Sequence, residues 1–268
     1  MPNLIKLARE TMNITERGEY EVEGRKIKLC VDNPQSVEVF DKERLEAASA
    51  AARELPDAGG CEIRVVNGDS FECAAGLERP LVMNFANAHH AGGGFLLGAK
   101  AQEEALCRAS TLYASISSEA AKKMYRYNNT HISPVDSDYM LLSPEVCVFR
   151  SSDGELLTEP YNVAVWTAPA PNRRGAAFMT SCKRLDEVMT ERIRKFLSAA
   201  AVCGYPSIVA GAWGCGAFGH SAERVSGYFR KILIDENYMR LFRTVVFAVL
   251  DRKNGGNIKA FEKTFEDR

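Results

Sequence analysis

Residues 90–104 read HAGGGFLLGAKAQEE: three consecutive glycines and, after a short spacer, two adjacent carboxylates. Gly92, Gly93 and Gly94 lack Cβ atoms and can take positive φ, so successive N–H groups can turn toward one point and form a concavity for phosphate oxygens. Gln102, Glu103 and Glu104 fall at the expected start of a helix. Adjacent helical side chains point about 100° apart, so the two carboxylates cannot address one bond from one face and should do different work. A helix N-terminus stabilises the anion, as suits a base or an acceptor, whereas burial beside a diphosphate would raise the pKa toward that of a general acid. The plainer reading is that both acids only complement the helix dipole.

A second glycine-rich stretch, AGAWGCGAFGHSAE, carries Gly211, Gly214, Gly216 and Gly219. Two such loops at two strand ends suggest a diphosphate clamped between them; a single cluster would read equally well as a tight turn without ligand. A nucleoside triphosphate loop is excluded, because Gly93 and Gly98 are followed by Ala99, Lys100 and Ala101, which misplaces the lysine and the magnesium-binding hydroxyl. GCGAFG at 214–219 matches the dinucleotide spacing late in the chain, and a redox enzyme stays open as an alternative. His89 and His90 invite a metal reading, but two adjacent side chains without a third ligand at plausible spacing favour a polar loop edge. No metal or other cofactor is expected. Arg173 and Arg174, after a strand end, could reach a phosphate, although a solvated turn explains them as well.

The elements that must carry these loops follow from periodicity. An amphipathic helix is expected to about Asn13, two short strands around EYEV and KIKLCV, and an alanine-rich helix from about Asp41 to LPDAGG. Strands then alternate with helices: CEIRVVN, FECAAGL (helix), PLVMNFANA, AQEEALCRASTLYASI (one helix), YNVAVWTAPA, SCKRLDEVMTERIRKFLSAAAVCG (long helix), PSIVAGAWG, AERVSGYFRKILI (helix) and RTVVFAVLD. This is the pattern of an α/β domain with a central, largely parallel sheet, whose ligands bind beyond the carboxyl ends of the strands. Residues 1–57 are expected to form an extension packed on a catalytic domain at 58–268.

Composition narrows the partner. The 268 residues include 26% charged and 46% hydrophobic ones with a formal net charge of -1, which gives no global electrostatic grip on nucleic acid, so no direct nucleic-acid binding is expected. The eight cysteines contain no CxxC pair and read as free thiols of a reducing compartment. No apolar run reaches the ~18 residues of a spanning helix, and the amino end is not a signal peptide, so a cytoplasmic location without membrane contact is the expectation.

GGGFLLGAKAQEE resembles the GGG-spacer-QEE signature of the poly(ADP-ribose) glycohydrolases, and most closely their microbial-type branch. LARETMNITERGEY, VCVFRSSDGELLTEPYNVAVWTAPAPN and GAWGCGAFG resemble other parts of that branch, so the likeness runs from about residue 7 to about 250. It implies an ADP-ribose-binding macrodomain-like fold: three layers, a central mixed, largely parallel sheet, and an N-terminal, mainly helical extension. The resemblance assigns catalysis to Glu104, at the ribose–ribose bond, and to its neighbour Glu103, which helps hold the substrate's ribose. Gln102 is counted with the substrate-binding residues, and Asn87 matches a polar residue orienting the terminal ribose. Gly92, Gly93 and Gly94 match the first diphosphate-side loop, and Gly214, Cys215, Gly216, Ala217 and Phe218 the second, with Phe218 packing on the nucleotide. One departure is His89-His90-Ala91 before the triplet, where many relatives place a proline directly before the glycines, which suggests a less rigid loop.

The chemistry so implied is hydrolysis of the O-glycosidic bond between ADP-ribose units, with Glu104 as acid and then base and the diphosphate stabilising the developing oxocarbenium. The partners would be poly(ADP-ribose) or ADP-ribose, with ADP-ribosylated proteins a further class. Two alternatives remain at this level: a macrodomain that binds ADP-ribose without cutting, and a hydrolase of mono-ADP-ribosylated targets. A reader has no chemical need of the acid pair.

Overall fold

The computed structural model describes residues 3–176, 178–251 and 255–266. In chain order the elements are α1 (Leu4–Arg17), β1 (Glu19–Val22), β2 (Arg25–Lys28), β3 (Glu38–Phe40), α2 (Lys42–Ala51), β4 (Glu62–Val66), α3 (Ser70–Ala74), β5 (Pro80–Ala86), α4 (Gln102–Ala109), α5 (Leu112–Ile116), α6 (Lys122–Thr130), β6 (Met140–Arg150), β7 (Leu156–Pro169), α7 (Arg173–Ala176), α8 (Cys182–Val202), β8 (Ser207–Ala210), α9 (Ala222–Arg230), β9 (Thr244–Ala248) and α10 (Gly256–Phe265). β1 and β2 form a ribbon, and the other strands form a seven-stranded sheet in the order β3-β6-β7-β5-β8-β9-β4. β5–β8, β8–β9 and β9–β4 are parallel, and β6–β7 is antiparallel. This is the mixed, largely parallel α/β sheet expected from the alternation of strands and helices.

The chain divides into two compact units. The first comprises Met1–Val39, Asn84–His131 and Tyr139–Pro169. Its α1 is capped by the Asn3 side chain, which accepts from the Lys6 amide, and runs to Arg17, four residues later than the periodicity suggested, where Gly18 takes the left-handed conformation (φ 70°). The buried face of α1 presents Ala8, Thr11 and Ile14; the Thr11 hydroxyl donates to the Arg108 carbonyl at 2.7 Å, fastening α1 to the end of α4. Ile14 and Tyr20 pack with Cys147 and Phe149 of β6, and the β1–β2 ribbon and its exit cover this cluster with Val22, Ile27, Leu29 and Val31.

The second unit comprises Phe40–Met83, Ile132–Asp138 and Ala170–Arg268. The Ser181 side chain caps α8, whose apolar stripe of Leu185, Val188, Met189, Ile193, Phe196 and Leu197 is buried. α8 also buries two cations, Arg192 and Lys195, against the Asp138 carboxylate at 3.0 and 2.6 Å, while Arg192 Nη2 donates to the Val135 and Ser137 carbonyls at 2.7 Å each. Such charges persist inside only when paired and hydrogen-bonded in this way. On β9, Phe247 sits among Phe229, Phe261 and Phe265 at ring separations of 5.1, 5.2 and 4.7 Å.

Several elements depart from the periodicity. The run 101–116, expected as one helix, breaks after Ala109: Ser110 is extended (φ -151°, ψ 179°) and bridges to Val148, and Thr111 then opens α5. β6, which contains Pro144, was not anticipated, and β7, which contains Pro160, starts earlier than expected. The structure accommodates the prolines at register shifts, between Ser143 and Val146 and between Val148 and Arg150 of β6. β3, α6 and α10 were also not anticipated, and the region 1–57 contributes β1, β2 and β3 besides its helices.

Phe247→Ala should remove the hub of the aromatic cluster and lower unfolding stability by about 3–5 kcal/mol, read from urea titrations followed by fluorescence.

Candidate active site

The acid pair stands on the first turn of α4, directly after the loop that leaves β5. Gln102 fixes that turn: its Oε1 accepts the Phe85 amide at 2.9 Å, tying the first residue of the helix to the strand's end. From there the two carboxylates diverge as helical geometry requires. Glu103 turns to the strand, where Oε2 accepts the Asn87 amide at 2.8 Å and Oε1 faces Asn84 Nδ2 at 3.4 Å. Glu104 turns to the glycine loop, where Oε1 accepts the Gly94 amide at 2.9 Å; its Oε2 is buried and meets no hydrogen-bond partner among the described residues. Both residues are buried, at 3% and 7% exposure. The plain dipole role, which needs only a solvated carboxylate, does not account for that burial.

Close packing around the acids leaves no room for side chains on the triplet. A Cβ on Gly93 would lie 2.6 Å from Glu104 Oε1, one on Gly94 2.7 Å from the Ala99 Cβ, and one on Gly92 2.9 Å from the Tyr113 ring. Gly92 and Gly93 also take φ of 68° and 53°. The loop's donors point inward: Gly93 N–H meets the His90 carbonyl at 3.0 Å, Gly94 N–H meets Glu104, and Gly92 N–H supports the Glu103 anion. In this structure the triplet therefore turns its amides to the acids and to its own turn, rather than outward as a phosphate cradle.

Asn87 begins the loop. Its Oδ1 accepts from the His89 and His90 amides at 2.8 and 3.0 Å, which leaves the side-chain amide as the group that can address a ligand. α6 closes over the same segment: Asn128 donates to the Ala88 carbonyl, and Asn129 donates to the His89 carbonyl while its Oδ1 meets His89 Nδ1, each at 3.0 Å. His89 thus serves the loop edge. Among the described residues no group of three His, Cys, Asp or Glu side chains is placed to hold a metal ion.

Burial dominates the electrostatics of Glu103 and pushes its pKa from 4.5 up to about 8; the charge of Glu104 adds to this, and the Asn87 and Asn84 hydrogen bonds oppose it. The helix N-terminus favours the anion, but desolvation wins. Beneath the pair, the buried Cys107 thiol is likewise pushed up by desolvation and by both carboxylates.

Residues not anticipated complete the site. Asn84, fully buried in β5, bridges Glu103 to the Thr167 hydroxyl of β7 at 3.1 Å, and Arg108 Nη1 holds the Ala99 carbonyl of the spacer at 2.7 Å. An asparagine inside the apolar run PLVMNFA was the available signal, since a buried amide needs partners.

The second loop lies in the other unit. Gly214 and Gly219 take φ of 76° and 77°, and a Cβ on Gly214 would strike the His220 ring at 2.9 Å. His220 is buried, with Nε2 on the Pro171 carbonyl at 2.7 Å and its pKa lowered by desolvation, so the neutral imidazole pins the loop. Cys215 N–H and Gly219 N–H close turns on Ala212 and Gly216, whereas the N–H groups of Gly216, Ala217 and Phe218 donate to no acceptor among the described residues. Phe218 is half-buried, and its carbonyl accepts the Arg174 amide at 3.2 Å. Arg174 is exposed and lies along Gly219, and Arg173 pairs with Asp186 at 3.1 Å.

Comparison with known proteins bears on this arrangement. The family model described as microbial-type PARG, catalytic domain, matches residues 8–151. The crystal structure of poly(ADP-ribose) glycohydrolase from Thermomonospora curvata is similar over 98% of this chain and 99% of that one, at 36% identity and a TM-score of 0.92. The same enzyme bound to the inhibitor ADP-HPD matches at 36% identity, the same coverage and a TM-score of 0.89. Poly(ADP-ribose) glycohydrolase from Deinococcus radiodurans in complex with ADP-ribose matches 87% of this chain and 95% of that one, at 33% identity and a TM-score of 0.81. No curated sequence matches.

The shifted Glu103 makes stability pH-dependent. Its folded pKa lies above the unfolded one, so its contribution is complete below about 4.5, declines as pH rises and is lost by about 8. Glu103→Gln keeps the shape, with its oxygen accepting from Asn87 and its amide able to donate to Asn84 Oδ1, which has no partner among the described residues. Urea unfolding at pH 5 and pH 8 should show a smaller loss of stability in this variant than in the wild type; equal losses would remove Glu103 as the source.

Proposed function

The chain belongs to the microbial-type poly(ADP-ribose) glycohydrolase family, and on that premise we propose how its residues hydrolyse the ribose–ribose O-glycosidic bond to release ADP-ribose. The observation that carries the assignment is the asymmetry of the acid pair: both Glu103 oxygens face donors, whereas Glu104 Oε2 is buried without a partner among the described residues. Glu104 is then the group able to exchange a proton with substrate. Protonated, it donates to the leaving ribose oxygen as the anomeric carbon gains oxocarbenium character; as carboxylate, it takes a proton from the attacking water. Gly94 N–H holds its other oxygen through both states.

Glu103 is assigned to holding the substrate ribose and Gln102 to positioning the acid turn through Phe85. Asn87 would orient the terminal ribose through its side-chain amide. Gly92, Gly93 and Gly94 shape the loop on the acid side, and because their amides are engaged in this structure, a diphosphate role would require those amides to turn outward. The second loop is the stronger anion site on its own geometry: consecutive N–H groups of Gly216, Ala217 and Phe218 without protein acceptors form the concavity that phosphate oxygens fill, flanked by Gly214 and Cys215. Phe218 supplies an apolar face for the nucleotide.

Among the described residues no helix is long and apolar enough to cross a membrane. We place the enzyme in the cytoplasm, a reading supported by cysteines that are all free thiols.

Glu104→Gln removes the titrating proton and preserves size. Turnover of purified poly(ADP-ribose) should fall at least ~10²-fold while ADP-ribose binding, read by calorimetry, persists. Undiminished turnover would refute the assignment of Glu104, and binding without turnover by the wild type would leave a reader or an enzyme for mono-ADP-ribosylated targets.

A further inference from the structure

Cysteines far apart in the chain meet on the first unit's β6. Cys30, exposed in the segment after β2, has its Sγ 3.0 Å from Sγ of Cys147, a fully buried residue of β6, and the Cys30 amide also donates to that sulfur at 3.3 Å. The approach is held by packing: Leu29 and Val31, on either side of Cys30, lie against the cluster of Ile14, Tyr20, Cys147 and Phe149. Cys147 is itself fixed, its amide on the Thr111 hydroxyl and its carbonyl on the Thr111 amide, each at 3.0 Å.

We propose that Cys30 and Cys147 form a redox-active pair, in which a hydroperoxide oxidises Cys30 and Cys147 resolves it to an intramolecular disulfide that staples the chain after β2 to β6. The exposed sulfur is the one an oxidant reaches, and the buried sulfur is positioned to attack it. The hydrogen shared with Cys147 holds the Cys30 thiol below its ordinary value and pushes Cys147 up, so the reachable sulfur is also the readier thiolate. Cys30 thiolate attacks the hydroperoxide's outer oxygen, the O–O bond breaks, and a sulfenic acid and an alkoxide, or hydroxide from hydrogen peroxide, result. Cys147 Sγ then loses its proton and attacks the Cys30 sulfur, expelling hydroxide, which leaves as water. In balance, two thiols and one hydroperoxide give one disulfide, one alcohol (or water) and one water. The cross-link joins positions 117 residues apart, a long closure that constrains the unfolded chain strongly.

The test treats the reduced, full-length protein with hydrogen peroxide, alkylates remaining thiols under denaturing conditions and maps the peptides. A cross-linked peptide pair containing Cys30 and Cys147 should accumulate and should be absent in C30S. The oxidised wild type should melt at least about 5 °C higher than the reduced one, reversibly with dithiothreitol, while C30S shows no rise. In C147A the reaction should stop at a Cys30 sulfenic acid trapped by dimedone; should that core variant not fold, C30S carries the comparison. Recovery of Cys30 alkylated or overoxidised without the cross-link, or a dominant cross-link between other cysteines, would overturn the pair. A cross-link without a rise in melting temperature would overturn the staple.

Discussion

Two adjacent carboxylates buried on one helical turn are the constraint on which the rest of this molecule depends. A buried anion is tolerated only with donors at hand, and consecutive helical residues point in different directions, so the donors must come from two places. The end of β5 supplies Asn84 and the Asn87 amide to Glu103; the glycine loop supplies the Gly94 amide to Glu104. A backbone that close to a carboxylate has no room for Cβ, which is why the triplet and the acid pair stand one short spacer apart. Loop and helix are thus one device, with the loop serving the acids before it serves any ligand.

Holding that device still requires anchors at both ends of α4. At its start Gln102 grips the Phe85 amide, and Arg108 reaches back from the last turn to the Ala99 carbonyl. At its end, Thr11 of α1 donates to the Arg108 carbonyl, Ser110 bridges Val148, and Thr111 exchanges hydrogen bonds with Cys147. The break that divides α4 from α5 is therefore functional in its geometry: a continuous helix could not hand its last residues to β6. The N-terminal helix belongs to this scaffold, since its buried Thr11 closes the far end of α4.

Much of this was readable in the chain. Long amphipathic helices such as α8 and the apolar strands β5, β8 and β9 declare themselves by periodicity, and their alternation gives the α/β class. The two glycine loops and the acid pair stood out as chemistry before any fold was known. Hidden were elements whose local signals conflict with their tertiary role: β6 and the first part of β7 contain Pro144 and Pro160, tolerated only because pairing shifts register there. α6 is polar along most of its length and is recognisable only through what Asn128 and Asn129 touch. The meeting of Cys30 with Cys147 has no local signature, because a contact across such a separation is made by topology alone. The inward aim of the glycine amides was equally illegible, since a triplet that can cradle a phosphate can also cradle a carboxylate.

The opposition between helix dipole and desolvation bears on catalysis as well as stability. A catalytic acid that must accept and release a proton in one turnover is hindered by a fixed like charge beside it. Burial raises Glu103 to about 8, which keeps that neighbour largely neutral near pH 7. On the proposed mechanism, Glu104 would exchange its proton with substrate without a second anion on the adjacent residue, while the Asn87 and Asn84 donors hold Glu103 in place. On that proposal the sequence EE holds one working acid and one muted one, and the difference between them is set by which wall each side chain faces.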